Sequence, residues 1–113
     1  MIVMKELHTI EEWQDVLAKS KGEPVLLLKH STTCPISSSA FTRVENFETN
    51  IPKYFLKVRE SRPVSNDIES TLGVEHQSPQ LFILNKGEAV WNASHTVITD
   101  NEINRGLKEN SID

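Results

Sequence analysis

Cys34 is the only cysteine of this chain, and it stands in the run Thr33-Cys34-Pro35-Ile36-Ser37. A thiol attacks as its thiolate, so its usefulness depends on what stabilises negative charge on the sulfur. Pro35 bears on this directly. Proline is favoured at the first position of a helix, where its missing N–H costs nothing, so Cys34 is expected at a helix N-terminus. Unpaired N–H groups and the positive end of the helix dipole favour an anion there. Settings of this kind bring cysteine pKa values down from roughly 8.5 into a range of about 3.5–7.5. Ser37, one turn along, is placed to donate its hydroxyl toward the sulfur. Having no thiol, it cannot resolve a mixed disulfide, so a reactive Cys34 must pass its adduct to an external thiol. The chemistry is monothiol. Inert packing is the bland alternative for a single cysteine. The polar flanks, Ser31-Thr32-Thr33 before it and Ser37-Ser38-Ser39 after it, do not describe a core position.

Pro79 is the second feature, between the polar stretch Glu75-His76-Gln77-Ser78 and the apolar run Leu81-Phe82-Ile83-Leu84. Local sequence alone favours a trans bond, because cis bonds are rare even before proline. His30 and His76 bracket the expected site and could donate a proton to a leaving thiolate, although an ordinary loop histidine is the simpler reading of each. Histidines 8 and 95 add no ligand spacing and there is no Cys-x-x-Cys, so no structural metal site is expected.

The elements that must hold these residues are legible as patterns. Thr9-Ile10-Glu11-Glu12 is a capping box, followed by Ile10, Trp13 and Leu17 at helical spacing, with Gly22 as a stop. Pro24 to Leu28 is a short continuous apolar run, which predicts a central strand covered on both faces. The helix from Pro35 carries Phe41, Val44 and Phe47 inward, and Pro52 follows its end. Tyr54 to Val58 predicts a second strand. Pro63 opens a helix with Ile68 and Leu72 inward, closed by Gly73. Leu81 to Leu84 is a strand, and Asn85-Lys86-Gly87-Glu88 is a hairpin turn into Ala89-Val90-Trp91. Thr99-Asp100-Asn101-Glu102 caps a last helix with Ile103 and Leu107 inward; Asp100 is explained by that helix start. The order predicts an α/β fold with a mixed sheet of about four strands, helices on both faces.

The chain has 113 residues, expected to form a single domain over 1–113. A hydrophobic share of 37% and a charged share of 25% fit a folded chain. The net charge of −4 argues against nucleic acid as a partner. No apolar run has the length of a membrane span, and Lys5 and Glu6 interrupt any signal-peptide core at the start, so no membrane association is expected. A lone cysteine suits a reducing cytoplasm.

The order of elements, with a cysteine where the first buried strand meets a helix, resembles the thioredoxin fold over nearly the whole chain. Gly73-Val74 before the proline loop and Pro79-Gln80-Leu81-Phe82-Ile83 resemble that superfamily's cis-proline strand, which implies a cis bond at Pro79. Within it, Thr33-Cys34-Pro35-Ile36-Ser37 and Ser78-Pro79-Gln80 resemble the bacilliredoxins of the YtxJ type. That resemblance implies a thiol–disulfide oxidoreductase with bacillithiol as co-substrate and S-bacillithiolated proteins as partners. Cys34 would be the nucleophile, with Ser37 as its catalytic neighbour. Thr33, Pro35, Ser78 and Pro79 would line the bound thiol compound, the Ser78 backbone pairing with its extended part. Leu28 takes the place of the buried carboxylate of dithiol thioredoxins, and Ser31 that of a glutaredoxin lysine. Of Lys29 and His30, strand alternation lets at most one face the sulfur. Two other readings are a monothiol iron–sulfur carrier, whose relatives carry C-G-F-S rather than C-P-I-S, and a non-enzymatic redox-sensing interaction module.

Overall fold

The computed structural model describes residues 3–112. Its centre is β2 (Val25–His30), whose six residues are all buried, as a run with no polar alternation requires. β2 pairs in parallel with β3 (Lys53–Lys57) and antiparallel with β4 (Gln80–Asn85). β5 (Glu88–Ser94) lies outside β4, and the short β1 (Lys5–Glu6) outside β3. Among the described residues the sheet therefore has five strands in the order β1-β3-β2-β4-β5, mixed as expected. The strand beyond the expected four is β1, which has two residues, both polar, and no apolar pattern to betray it.

Alternation along β2 sorts the core into two layers. Leu26 and Leu28 face α2 (Pro35–Asn46) and α4 (Asp100–Glu109), where Ala40, Val44, Ile103 and Leu107 are buried. Val25 and Leu27 face α1 (Ile10–Lys19) and α3 (Arg62–Leu72), where Trp13, Val16, Val64 and Ile68 are buried. By the same parity His30 belongs to the α2 layer and Lys29 to the α3 layer.

The helix ends follow the local signals. The capping box of α1 is complete, with Glu12 N–H donating to Thr9 Oγ1 at 3.0 Å and Glu12 Oε1 accepting from Thr9 N–H at 3.0 Å. In α4 only half of it forms: Glu102 N–H donates to Thr99 Oγ1 at 3.2 Å, while the Glu102 carboxylate pairs with Arg105 at 2.8 Å. α3 stops at Gly73, whose φ of 69° is the left-handed cap that glycine adopts without penalty. Lys86 and Gly87 both have positive φ, which suits the twist of the β4–β5 hairpin. Ile10, expected inward on α1, is instead 37% exposed, and Val16 takes the inward place.

Candidate active site

Cys34 is the N-cap of α2, extended at φ −110° and ψ 121°, with Pro35 in the first turn. Pro35 has no N–H to offer, and the first amide of the turn to be paired is that of Ser38, which donates to the Cys34 carbonyl at 3.0 Å. The Cys34 side chain is half-buried; Thr33 and Pro35 beside it are exposed. The position expected from Pro35 is thus realised.

Ser37 differs from expectation in its partners. It is fully buried, and its Oγ accepts from Ser31 N–H at 2.8 Å and pairs with His30 Nδ1 at 2.8 Å. Among the described residues its hydroxyl makes no hydrogen bond to Cys34. Burial, and then the nearby Lys57 ammonium, lower the His30 pKa and favour the neutral ring. With its proton on Nε2 the neutral ring accepts the Ser37 hydroxyl hydrogen at Nδ1; with its proton on Nδ1 it donates to Ser37 Oγ instead. Ser37 therefore ties the loop before Cys34 to the end of β2. His30 also packs against Phe41 of α2 with its ring tilted by 43°, ring centroids 4.8 Å apart.

Ser78 and Pro79 arrive from the other side. The Ser78–Pro79 bond is cis, as the resemblance implies. β4 begins at Gln80, which sits opposite Lys29, so one further step brings Pro79 to the end of β2 from which the chain runs on to Cys34. The Pro79 carbonyl accepts from His95 N–H at 3.0 Å. His95 opens a short 3-10 turn, His95–Val97, with a φ of 56°. His95 has no signal in the sequence that marks it, because a lone histidine after a strand carries no spacing pattern. Pro79 is buried, and the buried Ser78 Oγ has no hydrogen-bond partner.

Lys29 and His76 form a separate group on the α3 face. Lys29 is fully buried, with Nζ 3.1 Å from His76 Nδ1, and burial pushes its pKa down to about 8. His76 is an exposed residue, but partial burial of its ring, and then Lys29, lower its pKa. The strand separates this pair from His30, so His30 is the one that shares a face with Ser37 and α2. Among the described residues no cluster of three or more His, Cys, Asp or Glu could hold a metal ion.

A groove of about 370 Å³ runs beside the start of α2, lined by Ile36, Ser39, Arg43, His95, Thr96 and Thr99 among others. Ile36 offers it an apolar wall that is 44% exposed, and Arg43 a cation whose Nη1 donates to the Ile98 carbonyl at 3.0 Å. A larger cavity of about 480 Å³ opens at the far end of α2, around Phe47 and Lys53, remote from Cys34 in the helix. There Lys53 already donates to the Glu45 carbonyl at 3.0 Å, closing the helix end.

The monothiol bacilliredoxin BrxC family matches residues 5–103. A solved structure described as having a thioredoxin fold is 35% identical, with a TM-score of 0.85, 92% of this chain and 93% of that one being covered. Thioredoxin from Fasciola hepatica is 13% identical, with a TM-score of 0.75 and coverages of 94% and 98%. Thioredoxin from Trypanosoma brucei brucei is 9% identical, with a TM-score of 0.76 and coverages of 100% and 93%. At such identities the likeness to these two concerns the fold.

Proposed function

The chain belongs to the monothiol bacilliredoxin family, and on that premise we propose that it removes bacillithiol from S-bacillithiolated proteins through Cys34. The observation that carries this reading is a single, half-buried cysteine at the N-cap of a helix whose first amides lack partners, with serine where a dithiol enzyme has its second cysteine. The Cys34 thiolate attacks the bacillithiol sulfur of the mixed disulfide. A Cys34–bacillithiol disulfide forms as the bond to the protein sulfur breaks, and that sulfur leaves as a thiolate and takes a proton from solvent. A second, external thiol then attacks the adduct and frees Cys34. Ser37 acts by holding the loop that presents the sulfur.

Thr33, Pro35, Ser78 and Pro79 surround the disulfide, and the Ser78 main chain offers strand-like pairing to the extended part of the thiol compound. The groove beside α2 takes the polar remainder, with Arg43 and His95 as its donors. The reaction belongs in a thiol-rich compartment, the cytoplasm. The test is release of free protein thiol from a bacillithiolated substrate and from its glutathionylated counterpart. The wild-type chain releases the first faster than the second, and Cys34→Ala releases neither. Equal release by Cys34→Ala would overturn the reading.

A further inference from the structure

Among the described residues Lys29 is a lysine whose complete burial packing alone does not explain. Its side chain is 0% exposed within an apolar strand, yet Nζ reaches a single acceptor, His76 Nδ1 at 3.1 Å. An ammonium has three donors, so this burial is costly, and the nearby Glu69 carboxylate offsets the cost only in part. The acceptor lies in the loop that leads to Ser78 and Pro79. The same loop is held at two further points: His76 N–H donates to Glu69 Oε2 at 2.8 Å, and the buried Gln80 both accepts from Gln77 N–H at 3.2 Å and donates to the Glu75 carbonyl at 3.1 Å. Against these ties stands the unpartnered Ser78 Oγ, buried within the same loop, which works against its ordered form.

We propose that Lys29 and His76 form a latch that positions the Ser78–Pro79 loop beside Cys34, and that protonation of His76 releases it. The inference rests on the transfer reaction proposed above and names positioning residues for it. A neutral His76 accepts from the Lys29 ammonium. A protonated His76 carries hydrogen on Nδ1, turns a donor and a positive charge toward that ammonium, and the bond is lost. The charged groups facing the ring are Lys29 from β2 and Glu69 and Arg62 from α3; Ser65 Oγ stands 3.5 Å from Nδ1. Glu69 favours the protonated ring, while burial, Lys29 and Arg62 oppose it and win, so release falls below the ordinary histidine range. Loosening the loop weakens the hold on the disulfide substrate without altering Cys34 itself.

The test compares the wild-type chain with Lys29→Met and His76→Gln, whose amide oxygen accepts from Lys29 but does not titrate. Hydrogen-exchange protection of the His76 and Gln77 amides reads the latch directly, from pH ~4 to ~8, a range that extends below ordinary histidine titration. In the wild-type chain protection is expected to fall roughly tenfold toward the acid end, and KM for the bacillithiolated substrate to rise with it. His76→Gln keeps the protection flat across the range. Lys29→Met loses protection and raises KM at every pH, while kcat and the rate of Cys34 alkylation by iodoacetamide stay within about twofold, as expected of a change confined to substrate hold. A His76→Gln profile that still bends as the wild-type one does, or a Lys29→Met variant with wild-type protection, overturns the latch. If no form transfers bacillithiol, the transfer reaction is what fails, and the protection profiles still decide the latch.

Discussion

The oxygen that stands where a second sulfur would be is the most committed polar atom of the site. Ser37 Oγ joins Ser31 N–H to His30 Nδ1, both at 2.8 Å, inside a fully buried position. Replacing Ser37 with alanine leaves the buried His30 Nδ1 and the half-buried Ser31 N–H without this partner, so Ser37→Ala should lose about 1–3 kcal/mol of stability in urea unfolding. An unchanged midpoint would contradict this role. Ser37→Cys asks the chemical question, because it places a thiol three residues after Cys34. The bacillithiol adduct on Cys34 should then be displaced by an internal disulfide, visible by intact mass, whereas a long-lived adduct on that variant would show that the two sulfurs do not meet. Chain position puts Ser37 one turn along from Cys34, with the sulfur as the expected partner of its hydroxyl; the hydrogen bonds of Ser37 Oγ in the structure are with His30 Nδ1 and Ser31 N–H. His30 lies on another element, and no local pattern says which way its ring turns.

Elements were more legible than contacts. The unbroken run Val25 to Leu28 required cover on both faces, and Pro35, Gly73 and the Lys86-Gly87 turn marked boundaries that the chain keeps. β1 was hidden because an edge pairing of two polar residues leaves no period to read. Lys29 was hidden for the opposite reason: a strand buried on both faces has no exposed side, so alternation cannot say what a lysine there would meet. The packing of α4 on β5 offers a clean test at this scale. A Cβ on Gly106 would sit 2.7 Å from Trp91 Cγ and Cδ2, a contact that forces the indole or the helix to move. Gly106→Ala gains up to about 1 kcal/mol of helix propensity and loses about 1–3 kcal/mol by overpacking. A lower Tm with altered tryptophan fluorescence is expected; a higher Tm would mean that Trp91 yields freely.

At the scale of the whole molecule, the sheet delivers two loops to one end, and a buried lysine stands beneath one of them. Lys29 has its pKa lowered from 10.5 to about 8, so the unfolded chain binds more protons than the folded one between those values. Stability therefore rises with pH across that window, and this contribution disappears in Lys29→Met. At neutral pH the same variant should be more stable than the wild type by about 1–3 kcal/mol, since an apolar side chain replaces a poorly paired buried charge. A less stable Lys29→Met would mean that the Lys29–His76 bond outweighs desolvation. Such a variant, sturdier yet weaker in substrate hold, would tie the fold's least economical residue to its work. That work depends on Cys34, and the most direct measurement follows the adduct. The protein is mixed with a bacillithiolated substrate, quenched with acid at intervals, and mapped by peptide mass spectrometry. Bacillithiol is expected on the peptide holding Cys34, appearing as it leaves the substrate and disappearing when a second thiol is added. Loss of bacillithiol from the substrate with none ever found on Cys34 would contradict it.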